Sequence, residues 1–508
     1  MFNLKPHLST DFYKVSHGMD INGKPALHPE GITHMYETLT PRDNSYFPYD
    51  NKMVVFGYEL FMRELVKNWK ENFFDKSWTF LKSDFDVFEH MSSPQVHESM
   101  VSKFKQLHDL GYLPLEVRAL PEGTLVPMRV PVLSIVNTLP EFYWLPGYLE
   151  TTLLANTFVT STVASVARQF RKIGQEYADA TSDNDAFLDF QFHDFSQRGQ
   201  HGDEASVVSG LAHLTSFKGT DAIPAVAVAM DMWSNTDKNE LIGASVVATE
   251  HSIMESLGGQ FGTNTQGQID AWESLVDRNP DGILSVVADT YDYWEVVDVV
   301  LPALKDKIMN RNGKLVLRPD SLAEDRKSTG ERIENVGAQL AKTLDALYST
   351  FGGHVNSKGY KVLDEHVGVL HGEGVTLENI ADIFDDIVAA GFSTENVVFG
   401  VGAYVYSVRV SRDDFAQALK ASACVINGEE KMIFKLPKSE SEAFKRSPKG
   451  AVSIHGESGN YTMVEQLTIS EARNDTDNQM NLIYSPETGV NVTPLTVIRQ
   501  RIQNQLDK

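Results

Sequence analysis

The sequence Lys314-Leu-Val-Leu-Arg-Pro-Asp-Ser321 joins a short apolar run to four chemically different residues. The run Leu315 to Leu317 predicts a buried strand, because it is apolar and bounded by turn signals. A cation, a rigid proline, a carboxylate and a hydroxyl follow it directly. In α/β proteins, ligands bind beyond the carboxyl ends of parallel strands. An ordinary strand with a polar turn has the same composition, so the distinction depends on whether the pattern recurs.

The pattern of an apolar run followed by polar or glycine residues does recur. It is found at Phe190–Gly199, Leu284–Asp292, Val367–Gly374 and Val397–Gly402. Spans with helical spacing lie between these runs, at Arg332–Ser349 and Leu377–Ala390. Strands that alternate with helices in this way predict an α/β barrel.

The flanking sequence predicts a second region of mixed α+β structure. Residues 53–110 and 141–181 have helical spacing, whereas residues 114–137 contain alternating, strand-like runs. Strand-like sequence returns after residue 430. We therefore predict an accessory mixed α+β domain with its N-terminal part at 1–150, a catalytic barrel at 151–425, and a C-terminal segment at 426–508 that returns to the accessory domain.

Composition excludes several classes of protein. The formal net charge is −24, which argues against a nucleic-acid binder, because phosphate contacts need a basic face. A small phosphorylated ligand remains possible, since cations can concentrate in one cleft. Cys424 is the only cysteine, so an internal disulfide and a cysteine-rich zinc site are excluded. No apolar stretch is long enough to span a membrane, and we expect a cytoplasmic protein.

Several short segments in a fixed order carry a resemblance to a known family. They are Asp11-Phe-Tyr-Lys14, His193–Gly199, Lys218-Gly-Thr-Asp221, Thr249-Glu-His-Ser252, Leu317–Ser321, Lys358-Gly-Tyr360 and Lys445–Gly450. With these segments the chain resembles the nicotinate/nicotinamide phosphoribosyltransferases from end to end. The resemblance implies a type II phosphoribosyltransferase fold, an irregular α/β barrel with a mixed accessory domain. It also implies a head-to-tail homodimer with active sites at the interface.

The implied reaction joins nicotinamide to 5-phosphoribosyl 1-pyrophosphate (PRPP), giving nicotinamide mononucleotide and pyrophosphate in NAD salvage. By resemblance, the nicotinamide ring stacks between Phe195 and Tyr13 of the partner subunit. Asp221 matches the acid that accepts a hydrogen bond from the carboxamide and would repel the carboxylate of nicotinate. Arg198 matches a residue that contacts the amide oxygen or a phosphate, and Ser245 and Ser285 match positions near the ring. On spacing alone, residues 11–17 predict an amphipathic first helix that packs Phe12 and Val15 inward.

The resemblance also assigns a site for the phosphoribosyl donor and Mg²⁺. Arg318 matches a pyrophosphate-binding arginine, and Asp320 and Asp289 match acids that bear on the metal, Asp320 also holding the ribose. Gly372 and Glu373 match ribose contacts, although the family usually has Asp in place of Glu373. Gly400-Val-Gly-Ala403 corresponds to the turn around the 5′-phosphate, with fewer consecutive glycines than in the family, and Gly402 and Ala403 are the predicted contacts. The basic positions expected to reach the phosphates from the second subunit are Arg412, Lys420, Lys435 and Lys445.

His251 matches a histidine that ATP phosphorylates in this family, so that ATP hydrolysis drives the condensation. ATP is therefore an expected co-substrate. A neutral imidazole is nucleophilic, and Glu250 or a nearby acid is expected to orient it.

Three alternatives remain open at this point. The same fold could use nicotinate, although Asp221 argues against that substrate. A barrel glycosidase could use paired carboxylates such as Asp289 and Asp320, but it has no need of the clustered cations or the stacking aromatics. A non-catalytic binding protein would bind the ligands without turnover.

Overall fold

The computed structural model describes residues 4–233, 240–320, 335–436 and 446–507, and the backbone of the short strands Asp325–Arg326 and Arg332–Glu334. The chain forms two compact units. The first unit contains residues 1–165, 232–238 and 410–508, and the second contains residues 166–231 and 239–409. The long helix Glu150–Thr181 contributes residues to both units.

The second unit is built around a parallel sheet. In spatial order its six strands are Phe192–Asp194, Val397–Val401, Val367–His371, Leu315–Arg318, Leu284–Val287 and Val247–Ala248. Parallel bridges from Asp194 to Thr220 and from Gly219 to Ala244 continue the hydrogen bonding beyond the first of these strands. Ala244 closely precedes Val247 at the other edge of the sheet. The strands therefore close into an irregular α/β barrel, and the five predicted strands are confirmed.

Aromatic rings fill part of the core of this unit. Phe192 lies in the first strand, with its ring centroid 5.9 Å from that of Phe399 and 4.9 Å from that of Phe170. All three side chains are fully buried. Burial of rings in offset or edge contact is among the largest contributions a side chain can make to a core.

The helices of the second unit begin and end close to the predicted positions. The helix expected from Arg332 begins at Val336, because the Asn335 side chain accepts the Ala338 N–H at 2.6 Å and caps the first turn. The helices of this unit are Leu188–Gln191, Asp203–His213, Ile223–Trp233, His251–Phe261, Thr265–Arg278, Tyr293–Glu295, Leu301–Ala303, Lys305–Met309, Val336–Phe351 and Ile380–Ala389. Two antiparallel pairs join Asp325–Arg326 to Arg332–Glu334 and Gly353–Val355 to Lys361–Leu363.

The first unit contains an antiparallel sheet of seven strands. Their spatial order is Glu429–Met432, Ala418–Ile426, Ile32–Thr40, Leu133–Asn137, Leu115–Ala119, Asn481–Ser485 and Gly489–Val490. Strands from both ends of the chain thus share one sheet, which is the expected accessory α+β arrangement. Three further pairs join Asp20–Ile21 to Lys24–Pro25, Lys52–Val54 to Leu125–Pro127, and Ala451–His455 to Thr462–Leu467. The remaining helices are Phe12–His17, Tyr58–Trp69, Trp78–Leu81, Asp86–Met91, Pro94–Leu110, Leu145–Tyr148, Ile469–Asn474 and Leu495–Gln503.

One strand lies in a different unit from the one expected. The predicted barrel extended to residue 425, but Ala418–Ile426 pairs antiparallel with Ile32–Thr40 in the first unit. Sequence periodicity identifies a strand and not its partner, and the partner here is almost four hundred residues away. The predicted boundary at residue 150 stays a prediction. In the part of the chain that the structure describes, no helix is both long and apolar enough to span a bilayer.

Candidate active site

Most of the predicted site residues of the second unit lie at or beyond the carboxyl ends of the parallel strands. The strands are hydrogen-bonded in parallel, so their carboxyl ends share one edge of the sheet. Arg318 ends the strand Leu315–Arg318, and Asp320 follows it closely. Asp289 follows the neighbouring strand Leu284–Val287. This edge gathers residues that are far apart in the sequence.

His251 and two carboxylates form the centre of the arrangement. The Nε2 atom of His251 lies 3.9 Å from Oδ1 of Asp289 and 4.0 Å from Oδ2 of Asp320. Nδ1 of the same ring lies 3.1 Å from Oγ1 of Thr290, which can accept a hydrogen bond from Nδ1–H. In that tautomer the lone pair of Nε2 points to the side of the ring where the carboxylates lie.

The expectation that Glu250 orients His251 receives no support from the geometry. The Glu250 carboxylate accepts a hydrogen bond from the Ser252 hydroxyl instead. Thr290 holds the ring, and Asp289 and Asp320 are the acids closest to Nε2. His251 is also the first residue of its helix, with its side chain about half exposed.

Arg318 is held firmly at the end of its strand. Its Nη2 donates a hydrogen bond of 2.6 Å to the carbonyl of Thr249, and its Nε lies 3.3 Å from Oδ1 of Asp320. Thr249 is in turn fixed by the Val287 N–H, which donates to its Oγ1 at 3.0 Å. A guanidinium held in this way is preorganised to bind a phosphate group.

The carboxylates fit a divalent cation. Asp289 is buried, and within the described residues neither of its oxygens accepts a hydrogen bond. Burial raises the pKa of Asp320, and the charge of Asp289 adds to this shift against the opposing fields of Arg318, His251 and Arg198. No group of three His, Cys, Asp or Glu side chains forms a metal site among the described residues. Mg²⁺ usually takes one or two carboxylates and completes its shell with water and substrate phosphates, which agrees with this donor set.

An aromatic surface formed by Phe195 lies beside this cluster. The Phe195 ring is partly buried, with its centroid 5.0 Å from that of His193. It packs against Gly400, where a Cβ would approach Phe195 Cδ2 to 2.4 Å. A side chain at Gly400 would therefore displace the ring.

Asp221 borders the same surface. His193 Nε2 donates to Oδ1 of Asp221 at 3.1 Å, and the Ser245 hydroxyl donates to the same oxygen. Burial acts to raise the pKa of Asp221, but these two hydrogen bonds and the charges of His193 and Arg318 outweigh it, so the pKa is lowered. Asp221 therefore stays ionised to a lower pH than an ordinary aspartate. About half of its side chain is exposed and available to a ligand.

The other predicted residues of this unit differ in their surroundings. Ser285 is buried, and within the described residues its hydroxyl has no hydrogen-bond partner. A Cβ at Gly372 would lie 2.7 Å from Oδ1 of Asp320, so this glycine permits the close approach. The Cα of Gly402 faces open space, Ala403 packs against Gly199, and the side chains of Arg198 and Glu373 are exposed.

The predicted residues of the first unit are described within that unit. Tyr13 is 55% exposed on the helix Phe12–His17, and Val15 of that helix is buried as expected, whereas Phe12 is partly buried. Arg412 and Lys435 are exposed. Lys420 lies 3.3 Å from Oε1 of Glu150. Lys445 and Ser321 lie outside the described residues.

The sequence analysis did not assign roles to several residues that the structure places at these sites. His193, Thr249 and Thr290 position Asp221, Arg318 and His251, and all three lie within strand-end motifs that had been singled out. Arg42 of the first unit donates its Nε–H to the Ala416 carbonyl at 2.8 Å. Burial and then the nearby charge of Arg412 lower the pKa of Arg42, so these two cations are close together. No pattern in the sequence indicated this pairing.

Comparison with known proteins agrees with the fold. A model of the nicotinate phosphoribosyltransferase (NAPRTase) family matches residues 190–477. The chain is 33% identical to nicotinamide phosphoribosyltransferase of Acinetobacter baylyi, over 100% of this chain and 98% of the relative. It is 31% identical to nicotinamide phosphoribosyltransferase of Mycoplasma pneumoniae, over 83% of this chain and 90% of the relative. The crystal structure of nicotinate-nucleotide pyrophosphorylase from Pyrococcus furiosus superimposes with a TM-score of 0.57 at 16% identity, covering 100% of this chain and 98% of that one.

The barrel, its strand-end cations and carboxylates and this structural likeness define a pentosyltransferase with a type II phosphoribosyltransferase fold. The chain belongs to the nicotinate phosphoribosyltransferase family. This membership leaves the glycosidase and the non-catalytic binding protein without support.

Proposed function

We propose that the protein transfers the phosphoribosyl group of PRPP to nicotinamide, giving nicotinamide mononucleotide and pyrophosphate for NAD salvage. The observation that carries the proposal is Asp221, a carboxylate kept ionised beside the Phe195 ring. The curated relatives from Acinetobacter baylyi and Mycoplasma pneumoniae bear the name of this activity. The alternative substrate is nicotinate.

Asp221 favours an amide over an acid. A carboxamide N–H can donate to the exposed part of the Asp221 carboxylate, whereas the carboxylate of nicotinate would be repelled. Phe195 supplies one aromatic face for the electron-poor pyridine ring, in an offset contact of about 0.5–1.5 kcal/mol beyond area burial. Arg198, Ser245 and Ser285 complete the proposed ring site.

The transfer forms a bond between the pyridine nitrogen and C1′ of ribose while the bond from C1′ to pyrophosphate breaks. Negative charge grows on the leaving pyrophosphate, and Arg318 is fixed where it can bind that charge. Asp320 holds the ribose with Gly372 and Glu373, and the turn at Gly402 and Ala403 binds the 5′-phosphate. Asp289 and Asp320 would hold Mg²⁺, which neutralises phosphate charge when bound.

ATP coupling is proposed to use His251. The Nε2 lone pair attacks the γ-phosphorus of ATP, so that an N–P bond forms, the P–O bond to ADP breaks, and the phosphohistidine is later hydrolysed to phosphate. His251 keeps its Nδ1 proton during the attack, and that N–H donates a hydrogen bond to Thr290 Oγ1. Two carboxylates within 4.0 Å of Nε2 would repel a phosphate, so a cation between them is required for this step.

The working unit is proposed to be a homodimer. In it, Tyr13 and the cations Arg412, Lys420, Lys435 and Lys445 of one subunit reach the ring and phosphates bound to the other. The exposure of Tyr13, Arg412 and Lys435 supports this role, and Tyr13 in particular is a large aromatic residue left open on its helix.

Substitution Tyr13→Ala is expected to raise KM for nicotinamide about tenfold, because one of two stacking faces is lost. The melting temperature should change little, since the ring is mostly exposed. Initial rates against nicotinamide concentration test this. Exposed Tyr46→Ala is the matched control, and an unchanged KM in Tyr13→Ala would show that Tyr13 does not stack on the base.

The proposed function is tested by product formation from PRPP and Mg²⁺ with nicotinamide or nicotinate, each with and without ATP. The expected result is that mononucleotide forms from nicotinamide and not from nicotinate, and that ATP increases its amount. Product from nicotinate alone would retain the enzyme class and overturn the substrate assignment. No product from either base would overturn the proposal.

Substitution Asp221→Asn is expected to reduce the preference for nicotinamide over nicotinate at least about tenfold, because the repulsive charge is removed.

The lowered pKa of Asp221 also predicts how the preference of the unmodified protein for nicotinamide depends on pH. Selectivity should be constant down to about pH 5 and fall only as the pH passes below the usual range for aspartate. The ratio of kcat/KM for the two bases, measured between about pH 8 and about pH 3, checks both statements, with Ser245→Ala expected to move the fall to higher pH.

A further inference from the structure

Glu150 connects two elements of the first unit through one carboxylate. It is the first residue of the helix Glu150–Thr181, and its side chain is only 14% exposed. One oxygen, Oε2, pairs with Nζ of Lys14, and the other, Oε1, lies 3.3 Å from Nζ of Lys420. Each carboxylate oxygen therefore binds a lysine from a different part of the chain.

Lys14 belongs to the helix that carries Tyr13. Its Nζ lies 5.2 Å from the centre of the Tyr13 ring, and its side chain is 8% exposed. Burial acts to lower the pKa of Lys14, but the hydrogen bond with Glu150, together with the nearby charges of Glu150, Glu37 and Tyr13, outweighs this effect and raises the pKa. A buried ammonium depends on such a partner, because desolvation is costly without one. Removal of the Glu150 charge would therefore release the inner side of the Tyr13 helix.

Residues on either side of Glu150 also contact the segment before Tyr13, and the Asp11 N–H donates to Thr151 Oγ1 at 3.3 Å. The Thr10 hydroxyl donates to the Tyr148 carbonyl at 2.7 Å, and the Thr151 hydroxyl donates to the Asp11 carboxylate at 2.8 Å. These contacts lie before Tyr13 in the sequence, whereas the pair of Lys14 with Glu150 lies directly after it. Glu150 thus supplies a charged contact that holds the helix on the far side of Tyr13, in addition to the packing of the buried Val15.

Lys420 lies in the strand Ala418–Ile426 and is oriented by two acceptors. Its Nζ donates to the Leu419 carbonyl at 2.7 Å and approaches Glu150 Oε1. An ammonium has three N–H donors, and the described residues account for two of them on Lys420. The third remains for an anionic ligand.

We infer that Glu150 is a positioning residue that holds Tyr13, through Lys14, and Lys420 in the orientations in which they meet the base and the phosphates. The inference rests on the proposed function, because Tyr13 and Lys420 are its assigned ligand contacts. Glu150 itself touches neither substrate. Loss of the Glu150 charge is therefore expected to weaken the binding of both nicotinamide and PRPP, although these two ligands are chemically different.

The test is Glu150→Gln in the full-length protein, since glutamine keeps the size of the side chain and removes its charge. KM for nicotinamide and KM for PRPP are both expected to rise about tenfold, with kcat at saturation changed less than about threefold. The control is Glu30→Gln, which removes an exposed glutamate paired with exposed Lys24 at 2.9 Å in the same unit. Unchanged values of both KM in Glu150→Gln would overturn the inference.

A double-mutant cycle separates positioning from a general loss of stability. If Glu150 acts through Tyr13, the variant Tyr13→Ala with Glu150→Gln has the same KM for nicotinamide as Tyr13→Ala alone. Independent, multiplicative effects of the two substitutions would contradict the inference. If Glu150→Gln fails to fold, Lys14→Gln is the second variant, because it leaves Glu150 paired with Lys420. Lys14→Gln is expected to raise KM for nicotinamide and not KM for PRPP. An unchanged KM for nicotinamide in Lys14→Gln would also overturn the inference. An inactive unmodified protein would overturn the proposed function and this inference with it.

Discussion

Asp289→Asn is expected to lower kcat about a thousandfold, because the substitution removes the charge that is proposed to hold the metal beside the pyrophosphate. The Asp289 carboxylate is 6% exposed, and its oxygens accept no hydrogen bond in the described part of the chain. A buried charge without donors is costly unless a cation compensates it. Asparagine has the same shape, so the loss of activity would reflect the charge and not a cavity.

Two measurements distinguish this role from a structural one. Asp289→Asn is expected to require a higher concentration of Mg²⁺ for half of its maximal rate. Initial rates measured against Mg²⁺ concentration test this. In the absence of Mg²⁺ the melting temperature should be equal or higher, because an uncompensated buried carboxylate has been removed. The exposed Asp298→Asn is the matched control. Full activity with an unchanged Mg²⁺ requirement would contradict the assignment of Asp289 to the metal.

His251→Ala is expected to abolish ATP turnover while slow transfer from PRPP to nicotinamide continues without ATP. The imidazole is the only nitrogen nucleophile assigned to the γ-phosphate, so no phosphohistidine can form in the variant. The nearby groups Asp289, Asp320 and Arg318 remain, and they are the groups proposed to act in the transfer itself. The two activities should therefore separate in this one substitution.

ADP release and acid-labile labelling of the protein by γ-labelled ATP check the expected result. The control is His354→Ala, which removes an exposed histidine of the same unit. The variant Thr290→Val is expected to slow labelling, because it removes the acceptor that holds Nδ1–H. ATP stimulation of product formation that is unchanged in His251→Ala would mean that another group accepts the phosphate.

Much of the barrel could be predicted because its signals are local. The runs that end at Arg318, Val287 and Val401 are short, apolar and followed by turn residues, and each forms a parallel strand. Parallel strands are buried on both faces, so they appear in the sequence as continuous apolar runs. The residues that follow them could be recognised as candidates before any geometry was known, because such strand ends share one edge of a sheet.

The partners of these candidates could not be predicted in the same way. The oxygen of Asp221 is held by His193 and Ser245, which lie 28 and 24 residues away along the chain. Glu250 is adjacent to His251 in sequence but bonds Ser252, whereas Thr290, 39 residues away, holds the ring. Hydrogen bonds depend on distances of about 3 Å and on direction, and no local pattern encodes these for distant residues.

Composition, periodicity and the chemistry of short motifs were sufficient for the fold class, the family and the identity of most candidate side chains. Three-dimensional packing decided the rest: the pairing of Ala418–Ile426 with the first unit, the buried carboxylate of Asp289 with no donor among the described residues, and the link from Glu150 to Lys14 and Lys420. The physical reason is that secondary structure follows from residues close in sequence. The ionisation, orientation and partners of a side chain follow instead from neighbours that only folding brings within a few ångströms.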